Sequence, residues 1–133
     1  TRSATRQLDN LVDITTTPIP EAMNSNLQNR AIGLGFMGLA DVLEKLELSY
    51  ESEAAYELID QLAEFISYYA IDESAELAVT RGSYPNFAGS GWSKGELPID
   101  TIDRLGMQRG EAVGINTTRR LDWGALRPKG QPR

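Results

Sequence analysis

The sequence predicts a mostly α fold with at most one or two short strands. Apolar residues recur at helical spacing over long stretches, above all between residues 52 and 81. Serine and glycine sit where that stretch should start and stop. The only credible strand is the short apolar run at Ala31–Leu34, with no second run to pair with it. Several helices, one strand and long ordered loops cannot close a sheet alone, so the chain reads as a fragment of something larger.

The elements follow in order. Residues 1–14 place Leu8, Leu11, Val12 and Ile14 at helical spacing, as the end of a helix. Thr15-Thr16-Thr17-Pro18-Ile19-Pro20 stops it, since prolines and β-branched residues resist continuation. Glu21 to Arg30 is polar and Asn-rich, and reads as a loop or one short helical turn. Residues 31–48 read as a Gly-rich turn followed by an amphipathic helix with Leu39, Val42, Leu43 and Leu46 on one face.

Residues 52–81 give the longest element. Ala55, Leu58, Ile59, Leu62, Phe65, Ile66 and Tyr69 form an apolar face, while Glu53, Glu57, Asp60 and Glu64 form the wet one. Ser49 or Ser52 can cap its start, and Gly82 can end it. At about 1.5 Å per residue it spans about 45 Å, which suits packing along a larger body. Residues 83–133 read as loops and short helices. Tyr84, Phe87 and Trp92 pin the first loop, Thr101–Leu105 is a short helix, Gly106–Thr118 is irregular, and Leu121–Arg127 starts a helix capped by Asp122.

Composition narrows the chemistry. The 133 residues include no Cys and no His. That removes disulfides, thiolate nucleophiles, the commonest general base and the commonest metal ligands. Net charge is −6. Acids crowd residues 51–82 and bases residues 104–133, but the bases are scattered without interleaved aromatics, so a solvated surface fits better than a nucleic-acid site. No stretch approaches the roughly 18 apolar residues a membrane span needs. No signal peptide is evident, and the expected compartment is the cytoplasm. The chain does not begin with Met, consistent with processing, excision or a cut from a longer chain.

One motif points to a ligand. Gly33-Leu34-Gly35-Phe36-Met37-Gly38 matches G-x-G-x-x-G ahead of a helix, with Glu51 and Glu53 about where a ribose-binding acid would lie. A nicotinamide-dinucleotide-binding dehydrogenase domain is therefore one alternative. Against it, Gln28-Asn29-Arg30 leaves too short an apolar run for the preceding strand, and glycines also serve tight packing. The carboxylates of the long helix lie mostly on its solvent face, Tyr68-Tyr69 reads as packing, and Trp92 and Trp123 read as anchors. A non-enzymatic helical interaction module is the other alternative.

Read together, these segments resemble a known family. Arg6-Gln7-Leu8-Asp9-Asn10-Leu11-Val12-Asp13, Ser25 through Asp41, Ala75-Glu76-Leu77-Ala78, Gly82-Ser83-Tyr84-Pro85-Asn86-Phe87, Ser93 through Thr101, and Leu121-Asp122-Trp123-Gly124-Ala125-Leu126-Arg127 resemble, in order, the large (alpha) subunit of ribonucleotide reductase. The resemblance covers nearly the whole chain. It implies a fragment of a ten-stranded α/β barrel and a parent that reduces ribonucleotides through a thiyl radical on one Cys, with two further Cys as reductants. This stretch corresponds to family sequence after those cysteines and before the substrate-phosphate loop. No catalytic, cofactor-binding or metal-binding residue is therefore carried onto it. The implied partners are the remaining segments of the large subunit, a small subunit and the ribonucleotide, with no membrane and no nucleic acid. The parent needs a nucleotide effector and a radical generator, a metal-bearing small subunit rather than adenosylcobalamin being favoured. Where the family continues a helix after Leu126-Arg127, this chain reads Pro128-Lys129-Gly130-Gln131-Pro132-Arg133. The isolated chain is expected to be poorly stable.

Overall fold

Local backbone and capping chemistry explains several helix boundaries. The computed structural model describes residues 1–109 and 119–127, and these hold five α-helices: α1 (Arg2–Ile14), α2 (Pro20–Asn29), α3 (Leu39–Lys45), α4 (Glu53–Arg81) and α5 (Thr101–Arg109). Short 3₁₀ turns lie at Pro85–Phe87, Trp92–Lys94, Pro98–Asp100 and Trp123–Leu126. The parts of the expected irregular stretch at 110–118 and of the tail at 128–133 lie outside the described residues.

Helix α4 starts where the Ser52 hydroxyl accepts the Ala55 amide at 3.2 Å. Glu53 sits in its first turn and Arg81 in its last, as the helix dipole favours. It stops at Gly82, whose φ of 86° glycine adopts without penalty. Helix α1 lies alongside α4. The pairs Arg2–Asp72, Arg6–Glu73 and Asp9–Arg81 advance together, so the two helices run in the same direction. The remaining core is small: Leu97, Trp123 and Leu126, packed against Tyr68, Ile71, Ile99 and Leu121.

Four expectations need correction. First, no strand occurs among the described residues, so the anticipated strand at Ala31–Leu34 is absent. Residues 31–38 are irregular and exposed, Met37 to 99%. A lone strand has no partner for its backbone N–H and C=O groups, and three glycines in eight residues weaken it further. The described residues thus hold helices joined by turns and loops, and the fold class given as a fragment of a ten-stranded α/β barrel is not what the structure shows. Second, the polar stretch after Pro20 is helical rather than a loop. Pro20 occupies the first turn, where its missing N–H costs nothing. Arg30 closes α2 in the left-handed region at φ 47°.

Third, the apolar spacing on α1 is only partly a packing stripe. Leu8 and Val12 are half-buried, Leu11 and Ile14 are exposed, and the polar bonds from α1 to α4 come from Arg2, Arg6 and Asp9. Fourth, α4 does not keep its acids in water. Glu64, Asp72 and Glu73 are buried, whereas Phe65 on the expected core face is about half exposed. Six apolar residues are buried among the described ones, while eighteen large apolar residues are exposed. Apolar faces left open on this scale belong to a body that does not bury them itself.

The end of α3 gives a testable detail. Leu48 N donates to Leu43 O at 2.9 Å and Glu47 N to Glu44 O at 3.0 Å, a Schellman closure. It puts Glu47 at φ 55°, where glycine is the usual occupant. Glu47→Gly is expected to stabilise the fold by up to about 1 kcal/mol, after the entropy of the more flexible unfolded chain is subtracted. The readout is a rise in urea midpoint at unchanged slope.

Candidate functional site: the carboxylates of the long helix

Helix α4 presents two groups of acids, and each holds a different part of the chain. Glu57, Asp60 and Glu64 lie at i, i+3, i+7 and so share one face. They hold the segment from Arg119 to Trp123. Arg119 pairs with Asp60 at 3.4 Å and Arg120 with Glu57 at 2.7 Å. Glu64, 6% exposed, accepts from the backbone amides of Arg120 at 3.0 Å and Leu121 at 3.1 Å, and from Trp123 Nε1 at 3.0 Å. Trp123 in turn meets Tyr68 edge-on at 5.6 Å between ring centres. Burial pushes the Glu64 carboxyl up. The bonds from Trp123, Leu121 and Arg120, with the nearby Arg119 charge, outweigh this and hold it below the ordinary value of 4.5.

The second group holds α1. Arg2 reaches Asp72, and Arg6 grips Glu73 with Nε at 2.8 Å. At the far end Arg30 is shared by two acids of α1, donating to Asp9 at 2.7 Å and to Asp13 at 2.6 Å. Arg81 of α4 also reaches Asp9. The Arg30 guanidinium holds the Asp13 carboxyl below its usual value. Near the C-terminal segment, Arg127 clasps Asp100 at 2.6 Å and lowers it likewise, helped by the Leu97 amide. Carboxylates held in this way are occupied by donors. They suit fastening, not general acid or base work.

Thr5 is the exception within this seam. It is 1% exposed and its Oγ1 has no hydrogen-bond partner among the described residues. A buried hydroxyl without a partner is costly, and an isosteric methyl removes the cost. Thr5→Val is expected to stabilise the fold by about 1 kcal/mol, measured as a raised thermal midpoint.

The glycine motif is not assembled into a ligand site. A Cβ built on Gly33 or Gly35 meets nothing within 4 Å, so packing within the chain does not demand glycine there. Gly38 precedes α3, but the Asp41 carboxylate lies 3.7 Å from its Cβ position, where a phosphate would be repelled. Glu51 and Glu53 lie on the surface around the start of α4. No strand precedes the motif among the described residues, and the dinucleotide reading finds no support. Tyr68 and Tyr69 do pack, edge to face at 5.2 Å. Trp123 anchors the 119–127 segment, whereas Trp92 is 39% exposed. Sequence reasoning missed Glu64, Asp72 and Glu73. Their only sequence trace is a set of arginines at 2, 6, 119 and 120, far away in the chain. Among the described residues no helix is long and apolar enough to cross a membrane.

The described residues thus form helices and loops fastened by arginine–carboxylate pairs. Comparison with known proteins gives the chain a family. The family model for the barrel domain of ribonucleotide reductase matches residues 1–132, and the chain belongs to that family. It is 50% identical over 125 residues to ribonucleoside-diphosphate reductase subunit alpha of Chlamydia trachomatis, covering 93% of this chain and 12% of that protein. It is 44% identical over 124 residues to the Helicobacter pylori alpha subunit, covering 93% of this chain and 16% of that one. The large subunit of Caenorhabditis elegans is 36% identical over 129 residues, 97% of this chain and 15% of the relative. The chain thus spans well under a fifth of the length of these relatives.

Proposed function

We propose that residues 1–133 form one partial domain of a ribonucleoside-diphosphate reductase large subunit, and that the segment is a scaffold within it. The complete enzyme would reduce ribonucleotides to deoxyribonucleotides for DNA synthesis by radical chemistry. The observation that carries this reading is the family match along residues 1–132. Two features support the scaffolding role. The reaction's cysteines have no counterpart in a chain without Cys. Among the described residues the buried carboxylates, Glu64, Asp72 and Glu73, accept from arginines, backbone amides or an indole, which suits holding rather than proton transfer.

Among the described residues no group of three or more acids is placed to hold a metal, so these residues do not fit a radical-generating centre. That role, and the nucleotide effector site, fall to other parts. A metal-bearing small subunit is the favoured partner, and the cytoplasm the expected compartment. The test is reconstitution. The 133-residue chain given a ribonucleoside diphosphate, a thiol reductant and a small subunit should form no deoxyribonucleotide. The same chain joined to flanking segments that carry the missing cysteines should turn over. Product from the isolated chain would overturn the scaffold reading.

A further inference from the structure

The loop from Gly91 to Thr101 builds a small, open cleft that the proposed function does not use. Its volume is about 360 Å³, and Gly91, Trp92, Glu96, Leu97, Pro98 and Thr101 line it. The walls are fixed by short-range bonds. Glu96 N donates to Gly91 O at 2.9 Å, Leu97 N to Asp100 Oδ2 at 2.8 Å, and the Thr101 hydroxyl to Pro98 O at 2.7 Å. Arg127 ties the outside by donating to Gly95 O and to Asp100. Leu97 forms a buried floor continuous with Trp123 and Leu126.

The lining combines three chemistries: an exposed indole, an apolar floor and one carboxylate. That carboxylate has a particular status. Among the described residues, the other acids of the buried and half-buried classes have basic or amide partners, but no salt bridge or hydrogen bond engages the Glu96 side-chain carboxylate. Its placement also depends on glycine. A Cβ on Gly91 would lie 3.0 Å from Glu96 Oε2. A half-buried carboxylate beside an aromatic face and an apolar floor is complementary to a cation on an apolar stem. Arginine satisfies all three, because its planar guanidinium stacks on indole and forks onto carboxylate.

We propose that this cleft is a socket for an arginine side chain presented by another polypeptide surface. The inference stands on the cleft alone and is independent of the family reading. N-acetyl-arginine methylamide is the probe, and the neutral isostere N-acetyl-citrulline methylamide is the control. With 5-fluorotryptophan in the chain, ¹⁹F spectra separate Trp92 from the sealed Trp123, and Trp92→Phe assigns the signals. The arginine probe is expected to shift the Trp92 signal alone, saturating in the range of about 1–10 mM expected for a single side chain. The citrulline probe should bind at least about tenfold more weakly, and Glu96→Gln should remove that difference. Equal response to both probes, indifference to Glu96→Gln, or joint movement of Trp123 would overturn the proposal. If the chain alone does not give a Trp123 signal distinct from free tryptophan, the same titration on the chain extended into its flanking sequence decides the matter.

Discussion

Glu64→Ala is expected to free residues 119–127 from α4, at a cost of about 3 kcal/mol. The size follows from the number of donors stranded. Two backbone amides and the Trp123 indole all end on this one carboxylate, and each unmet donor costs about 1 kcal/mol or more. Trp123, 7% exposed at present, should shift its fluorescence to the red, while Trp92 serves as an exposed reference. Glu64→Gln keeps an acceptor oxygen and should cost only about 1 kcal/mol. If alanine and glutamine prove equal, donor satisfaction is not what holds the segment.

The same carboxyl gives a pH dependence. Its folded value lies below its ordinary 4.5, so the native state holds the proton less readily than the unfolded state. The resulting stability is present above the unfolded value and is lost as pH falls through the folded one. Urea midpoints should therefore be level near neutrality and fall below about pH 4.5. Asp13 and Asp100, both lowered by arginine partners, add to the fall. Glu64→Gln should make the acid limb shallower without moving the neutral plateau by more than its own cost.

The second large effect lies in the α1–α4 seam, and it is asymmetric. The arginines there keep about half their side chains in water, 45% for Arg2 and 56% for Arg6, whereas Glu73 keeps 6%. Removing both arginines leaves a buried carboxylate without the two cations that face it. Removing the acid leaves arginines that water can solvate. The double variant Arg2→Ala/Arg6→Ala is expected to lose about 3 kcal/mol, whereas Glu73→Met should cost less than about 1 kcal/mol. Chemical denaturation of the three proteins tests the order, and the reverse ranking would refute a seam held by charge compensation.

The long helix was readable from Ser52, the apolar spacing and Gly82, because capping and periodicity are local. Helix α3 and the Asp122-capped turn were readable for the same reason, the latter with Asp122 Oδ1 accepting the Ala125 amide at 3.3 Å. Periodicity failed where the partner was distant. On α1 it marked Leu8, Leu11, Val12 and Ile14, of which Leu11 and Ile14 stay exposed, while Arg2, Arg6 and Asp9 make the bonds to α4. On α4 it marked Glu64 as wet, because nothing near residue 64 announces the amides of Arg120 and Leu121. The glycine-rich strip failed differently. Its apolar residues read as a strand, but a strand needs a neighbour, and none occurs among the described residues. The family itself came from ordered similarity along the chain, not from any one site.

The seam between α1 and α4 also acts as a key. Two greasy faces can slip past each other by one helical turn, about 5.4 Å, and still bury similar area. Arginine forks cannot. A slip of one turn would carry Arg6 away from Glu73 and Asp9 away from Arg81 at the same time, and would leave Asp72 and Glu73 buried against the wrong groups. The charges add little to affinity, but they permit a single alignment. Raising the salt should therefore blur the register of α1 before it melts the helices.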